Sequence, residues 1–540
     1  MIYSDEDGEK DMIVSIIAVG VIILLCILAE KFSDKFGLPA LILFMFIGMV
    51  FGSDGIFGIA FDDFSMAENV CSVALVFIMF YSGFNTKWSA ARAYSVKAVS
   101  LSTLGVVMTA LITMLLCHFL LRLSWQESFL IGAVLSSTDA ASVFSILRKK
   151  RLNLKDGTAS ILEVESGSND PMSFMLTTIA IGFFGAEKSG SIVWMIILQM
   201  AVGILAGILA AFVTLWVSKR TRLISEGLDT IFLIAMVLLC YGISSVLQGN
   251  AYLSLYLFGI IIGNSRIRSK QTLIPFFDGV TSLAQILVFF IIGLLSYPSQ
   301  MPGIMLIALA VAIFLTLIAR PISVLLLLVI QKCSFRQCAL ISWAGLRGAS
   351  SCVFAIMAVA TGITMHQDLF HIVFMTTLIS VAIQGGMLPL VAKKLQMIDD
   401  NADVTKTFND YQEETAFQLM RMYIPEDHNW IHKKIKDVSM PHGSLAIMLK
   451  RGEESIITKG DTEILPHDTL ILSVPPYVPT EDEQLLELVI DKKHKWCNQA
   501  IGNLSLADDE LIALIIRAGQ TIIPDGKTVI HEGDTVVVYR

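Results

Sequence analysis

Long apolar runs separated by short polar loops dominate the first three quarters of the chain. Thirteen stretches read as membrane-spanning helices: 12–29, 38–51, 70–84, 98–121, 128–147, 158–184, 192–217, 228–247, 252–263, 280–297, 303–330, 337–362 and 369–392. The ninth is short for a span. Lysine and arginine alternate from loop to loop. Lys31 and Lys35 follow the first stretch, Lys87, Arg92 and Lys97 the third, and Arg148, Lys149, Lys150, Arg151 and Lys155 the fifth. Lys219, Arg220 and Arg222 follow the seventh, Arg266, Arg268 and Lys270 the ninth, Lys332 and Arg336 the eleventh, and Lys393 and Lys394 the thirteenth. The intervening loops are poor in both; 53–67 has neither and carries Asp54, Asp62 and Asp63. Basic loops stay on the cytoplasmic side. The alternation therefore predicts an odd number of spans, an outside N-terminus and a cytoplasmic C-terminus.

Beyond Leu395 the pattern changes. A polar, acidic stretch over 399–418 reads as a linker ending in a short helix, and from Tyr423 onward short alternating runs predict strands. This tail repeats itself at a constant offset of 66 residues: His428 falls on His494, Trp430 on Trp496, Ser439 on Ser505, Arg451 on Arg517, Ile456-Ile457 on Ile522-Ile523 and Asp468-Thr469 on Asp534-Thr535. The predicted organisation is a membrane domain over 1–395, a linker over 396–422 and two small α/β repeats over 423–478 and 485–540. A duplicated unit either builds a ligand cleft between its copies or serves packing alone.

Composition agrees with the pattern. Of 540 residues, 55% are hydrophobic and 16% charged, and the mean hydropathy is +0.70. These values exclude a soluble globular protein and fit a polytopic helical membrane protein. The acidic N-terminus and the long first apolar run, without a small-residue cleavage site, predict a first span and not a signal peptide. Five of the eight cysteines lie within apolar stretches and read as small buried hydrophobes. Cys333 and Cys338 lack a neighbouring His or Cys to complete a metal site.

Polar groups inside these stretches change the picture most. A charge at membrane depth costs at least ~2.5 kcal/mol and marks a functional site. The sixth stretch carries Glu165-Ser166-Gly167-Ser168-Asn169-Asp170-Pro171. Ser166, Asn169 and Asp170 have the spacing of one helix face. They offer a hydroxyl, an amide oxygen and a carboxylate, the hard oxygens an alkali cation needs in place of water. Held out of water, one carboxylate favours neutralisation by one proton or one monovalent cation, so the two compete. The fifth stretch carries Ser136-Ser137-Thr138-Asp139-Ala140-Ala141-Ser142, which reads as a locally unwound helix. The twelfth carries Gly345-Leu346-Arg347-Gly348-Ala349-Ser350-Ser351, another interruption with a buried charge. The two occupy corresponding places in two six-span halves joined by the seventh, a pointer to a transporter's site. The thirteenth stretch contains Gln384-Gly385-Gly386, the counterpart of the sixth. Asp139 and Arg347 read as neutralising helix ends at the breaks, and Glu165 and Arg347 as a buried pair. Arg320-Pro321 on the eleventh stretch reads as a kink with an anchor at the inner surface.

These motifs together resemble the NhaP-type monovalent cation/proton antiporters, the cation:proton antiporter-1 family, over about residues 12–395. The resemblance implies a homodimer, inverted repeats and crossed broken helices in the fifth and twelfth spans. It implies that Asp170 exchanges proton for cation, that Ser166 and the carbonyl of Thr138 are cation ligands, and that Asn169 orders the site without a second charge. Glu165 would pair with Arg347, and exchange would be electroneutral. The chain departs from the family in Phe80-Tyr81-Ser82-Gly83, where Tyr81 replaces a frequent acid. The tail resembles two TrkA-C (RCK_C) domains, through Leu445, Ile447, Arg451-Gly452, Ile456-Ile457 and Gly460-Asp461-Thr462, with Lys527 replacing Asp461 in the second copy. The nucleotide-binding half that often precedes such domains is absent from the pattern. Tails of this type accompany potassium systems, and some relatives bind cyclic di-AMP.

The reading is an electroneutral K+/H+ antiporter of a bacterial inner membrane, regulated by its tail, without cofactor, nucleic acid or enzymatic activity. Na+/H+ exchange, a tail-gated cation channel and a non-transporting sensor are the alternatives. A channel needs a filter of backbone carbonyls, and no Gly-rich re-entrant sequence supplies one.

Overall fold

The computed structural model describes residues 5–36, 39–86, 88, 92–150, 152–184, 192–220, 228–265, 267, 270–399, 418–438, 440, 444–452, 454–474, 485–492, 494–504, 506, 511–517, 520–522 and 524–539. The linker residues 400–417, the loop residues Lys87, Arg151, Arg222, Arg266 and Arg268, and the repeat positions Ser439, Ser505 and Ile523 lie outside the described residues. The chain forms two compact units, Met1–Asp403 and Val404–Arg540.

The first unit is helical over most of its predicted spans. Its helices are α1 (Asp5–Phe36), α2 (Ala40–Phe51), α3 (Phe64–Asn85), α4 (Arg92–Phe119), α5 (Trp125–Val134), α6 (Ala140–Lys149), α7 (Thr158–Gly182), α8 (Ile192–Arg220), α9 (Leu228–Val246), α10 (Ala251–Gly263), α11 (Lys270–Leu294), α12 (Met301–Ile330), α13 (Phe335–Trp343), α14 (Ala349–Ala360) and α15 (Leu369–Lys394). Among the described residues, eight helical stretches are long and apolar enough to cross a membrane, and α2, α10 and α14 are apolar but shorter. The fifth and twelfth predicted stretches are each two helices, α5 with α6 and α13 with α14, separated by breaks that include the non-helical residues 137–139 and 345–348.

Small residues let these helices approach closely. A Cβ on Gly259 would come within 2.3 Å of the carbonyl of Phe80, and one on Gly263 within 2.0 Å of that of Phe84. The Gly-x-x-x-Gly face of α10 is thus the contact surface for α3. Three helices around the breaks widen by a π turn: α4 at Leu101–Gly105, α12 at Leu315–Ala319 and α15 at Ser380–Gly385. Two have a prolyl cause. Pro321 has no N–H for the carbonyl of Leu317, and Pro389 none for that of Gly385.

The second unit contains two four-stranded antiparallel sheets. The first comprises β1 (Gln418–Tyr423), β2 (Leu445–Arg451), β3 (Glu454–Ile457) and β4 (Thr469–Val474), in the order β1-β4-β2-β3. The second comprises β5 (Leu485–Val489), β6 (Leu511–Arg517), β7 (Gln520–Ile522) and β8 (Thr535–Tyr539), in the order β5-β8-β6-β7. A register shift at Ala446/Met448 recurs at Ile512/Leu514. So does an ion pair: Arg451 meets Asp468 and Arg517 meets Asp534, each at 2.7 Å. Among the described residues the only helical segments of this unit are the 3-10 turns Ile435–Asp437 and Ile501–Asn503. Where the sequence predicts α/β repeats, the described residues of this unit form sheets with short turns. Gln418, expected to close a helix, opens a strand.

Candidate functional site

α7 carries the polar set expected of it. Gly157, with φ 64°, turns the chain into the helix. Pro171 interrupts the helix ladder, because it has no N–H for the carbonyl of Gly167. Next to that gap, Asn169 and Asp170 are buried.

The two broken helices cross beside this point. The amide of Asp139 donates to the carbonyl of Leu346 at 2.8 Å, joining the two breaks through their backbones. Asp139 accepts from the amide and hydroxyl of Ser142, at 3.3 and 2.5 Å, and so caps α6. It also lies against the start of α14, where a Cβ on Gly348 would come within 2.5 Å of its Oδ2. One carboxylate thus faces two helix N-termini, where negative charge is favoured. Arg347 reaches into the first break, donating from Nη1 to the carbonyl of Ser137 at 2.6 Å. Ser380 in the wide turn of α15 accepts from the amide of Arg347 at 3.1 Å and donates to Gln384 at 2.5 Å.

Asp170 sits where both breaks reach it. The hydroxyl of Ser137, from the first break, donates to its Oδ1. The hydroxyl of Ser350, in the first turn of α14, donates to its Oδ2 at 2.7 Å. Ser166 donates to the carbonyl of Thr138 at 2.9 Å, which brings those two expected cation ligands together. The amide nitrogen of Asn169 donates to the hydroxyl of Thr138 at 2.5 Å, while its buried Oδ1 finds no hydrogen-bond partner among the described residues.

One expected pairing is different. Glu165 does not take Arg347 as its partner. It accepts at both oxygens, each at 2.7 Å, from Nη2 of Arg320. Arg320, read from the sequence as an inner-surface anchor, is 1% exposed. The wide turn at Leu315–Ala319 immediately precedes it and, together with the small Gly345 against its side chain, seats it in the core. Tyr81 donates to Asp278 of α11 at 3.0 Å.

Sequence reasoning thus named Asp170, Asn169, Ser166, Thr138, Asp139, Glu165 and Arg347 but assigned no contact to Ser137, Ser350 or Arg320. The serines lay within the quoted motifs, yet helical spacing cannot choose among neighbouring hydroxyls across a break. For Arg320, the signal was an arginine next to proline within an apolar stretch, and its register followed from the widened turn.

The family profile described as sodium/hydrogen exchanger, transmembrane, matches residues 20–394. The chain belongs to this family. The TrkA-C domain profile matches residues 419–476 and 485–539. This exchanger is 32% identical over 464 residues to the K(+)/H(+) antiporter NhaP of Alkalimonas amylolytica, covering 85% of the chain and 80% of the relative. It is 33% identical over 470 residues to the K(+)/H(+) antiporter NhaP2 of Shewanella sp. (strain MR-4), covering 86% and 81%. Its fold resembles the sodium proton antiporter MjNhaP1 from Methanocaldococcus jannaschii at pH 8, with a TM-score of 0.62 at 23% identity, over 70% of this chain and 99% of that one.

Proposed function

We propose that this exchanger moves one K+ outward against one proton inward by alternating access, with Asp170 holding either ligand. The observation that carries this reading is the buried carboxylate at the meeting point of two broken helices, bracketed by Ser137 and Ser350. Charge supports the stoichiometry. Asp139, Glu165 and Asp170 face Arg320 and Arg347, so the crossing keeps one negative charge when Asp170 is ionised. One proton or one monovalent cation cancels it. Neutralising that charge favours transit through the low-dielectric interior.

Ser166 and the Thr138 carbonyl are proposed cation ligands, with Asn169 as an ordering residue. K+ is preferred over Na+ because the Alkalimonas and Shewanella relatives bear the K(+)/H(+) name over most of the chain. The proposal includes thirteen crossings with inverted repeats, a homodimer in a bacterial inner membrane, an outside N-terminus and a cytoplasmic tail. The tail regulates exchange, with cyclic di-AMP the first ligand to test. No enzymatic activity belongs to this reading.

The test is cation-induced dequenching of a pH dye in proteoliposomes of the purified protein. The expected result is a saturable response to K+ that Asp170→Asn abolishes while the dimer remains folded. Undiminished exchange in that variant removes the assignment. A response to Na+ equal to that for K+ removes the K+ preference. A conductive, voltage-driven flux identifies the channel alternative.

A further inference from the structure

Ser350 differs from the other polar groups at the crossing. It reaches Asp170 from the second broken helix, whereas Ser137, Thr138 and Ser166 belong to the first break or to α7 itself. Its oxygen lies 2.7 Å from Oδ2 of Asp170, and it is 8% exposed against 5% for Asp170. A hydroxyl can give one hydrogen and accept through two lone pairs, and it rotates freely between the two uses. Beside a carboxylate without bound cation, Ser350 donates. A cation seated on Oδ2 takes over the charge that held that hydrogen, and the hydroxyl then turns a lone pair toward the ion. The neighbouring Ser351 is buried more deeply, at 0% exposed, but its hydroxyl finds no hydrogen-bond partner among the described residues. Its hydrogen bond to Asp170, and not hydroxyl content alone, distinguishes Ser350.

An alkali ion leaving water needs several oxygens to replace its hydration shell, as in carbonyl-lined ion sites. Asp170, Ser166 and the Thr138 carbonyl give oxygens from α7 and the first break only. We propose that the hydroxyl of Ser350 completes the cation shell from the second broken helix and sets cation affinity and preference. With this ligand, the ion touches both crossing helices, so its arrival is felt on both sides of the break. A proton on Asp170 makes no such demand, because it needs one acceptor. Ser350 therefore discriminates between the two ligands that compete for the carboxylate. It is a binding residue and carries no charge of its own.

This inference rests on the exchange role proposed for Asp170, and the experiment separates the two. Purified full-length Ser350→Ala, Ser350→Thr, Ser351→Ala and Asp170→Asn are compared in proteoliposomes at several K+ and Na+ concentrations. Binding is read separately, as the rise in melting temperature that potassium chloride gives over choline chloride. Loss of a hydrogen-bonding group at a charged centre predicts a KM for K+ about tenfold higher in Ser350→Ala, with most of the effect in KM. The K+-dependent rise in melting temperature shrinks in parallel, and the ratio of K+ to Na+ affinity changes. Ser350→Thr restores the hydroxyl and recovers most of the affinity. Ser351→Ala controls for packing in α14 and keeps the KM of the unmodified protein. A Ser350→Ala variant with unchanged KM and unchanged K+-dependent stabilisation overturns the proposal, whatever Asp170→Asn does. If Ser350→Ala gives no measurable exchange, a retained K+-dependent rise in melting temperature overturns it and a lost one supports it. Undiminished exchange in Asp170→Asn instead removes the underlying reading.

Discussion

Arg320 and Glu165 form a buried ion pair in which a single guanidinium nitrogen meets both carboxylate oxygens at 2.7 Å, each residue being 1% exposed. The pair ties α12 to the helix that carries Asp170. Removing one partner of a buried pair leaves the other uncompensated, which destabilises by about 3–5 kcal/mol. Arg320→Ala is therefore expected to lower the melting temperature of the detergent-solubilised protein sharply. The double variant Glu165→Gln/Arg320→Gln should recover part of the loss, because neither charge is then left alone. Equal melting temperatures for Arg320→Ala and the unmodified protein would show that the pair contributes nothing.

Gly348 makes a second prediction at the crossing itself. A Cβ there would stand 2.3 Å from the Cβ of Asp139, well inside van der Waals contact. Both atoms belong to the breaks that the Asp139–Leu346 backbone bond fixes, so neither side can yield as a flexible side chain would. Gly348→Ala is expected to force the two breaks apart and to lose exchange, with reduced recovery of folded protein. Gly303→Ala, at a helical glycine with open space around its Cβ position, is the matched control and should behave as the unmodified protein. Normal transport in Gly348→Ala would mean the crossing is looser than its contacts require.

The tail gives a pH prediction with a definite sign. Burial works against the charged form of Asp468, but hydrogen bonds from Arg451 and the amide of Leu465 outweigh it and hold the carboxyl below the usual range. Hydrogen bonding by Arg517 does the same for Asp534 against a smaller burial effect. A carboxyl whose folded pKa lies below its unfolded value of about 3.9 stabilises the fold above that pH and loses the contribution as pH falls through the folded value. Amide exchange in β2, β4, β6 and β8 of the full-length protein, corrected for intrinsic rates, should therefore hold steady between about pH 7 and 5 and lose protection below about pH 4. Arg451→Ala should lower protection of the first sheet at neutral pH by about 1–2 kcal/mol, its partial exposure screening part of the bond. Protection that rises on acidification would contradict this sign.

The order of spans, the change of composition after Leu395, the repeat at 66 residues and the polar set on the sixth stretch were all legible in the chain. Hydrophobic length and helical spacing are local properties, and they survive without knowledge of neighbours. The same locality explains the error at Arg320. A widened turn shifts every following side chain around the helix axis, and no periodicity argument registers that shift. The tail's strands were visible in their alternation, and to them the described residues add only 3-10 turns.

The sequence by itself determined that a carboxylate, an amide and a hydroxyl share one face of an interrupted membrane helix, flanked by two further interruptions. It also determined that each tail repeat carries its own arginine and aspartate at matching positions. Only the tertiary structure decided which partners these groups take. Glu165 faces Arg320 and not Arg347, Arg347 bonds the Ser137 carbonyl in the first break, and Asp170 receives hydroxyls from both broken helices. The physical reason is that residues far apart in the chain meet only after the helices cross, and close approach at Gly348 and the wide turn before Arg320 set that crossing. Residue type fixed which chemistry was available, and packing fixed where it acts.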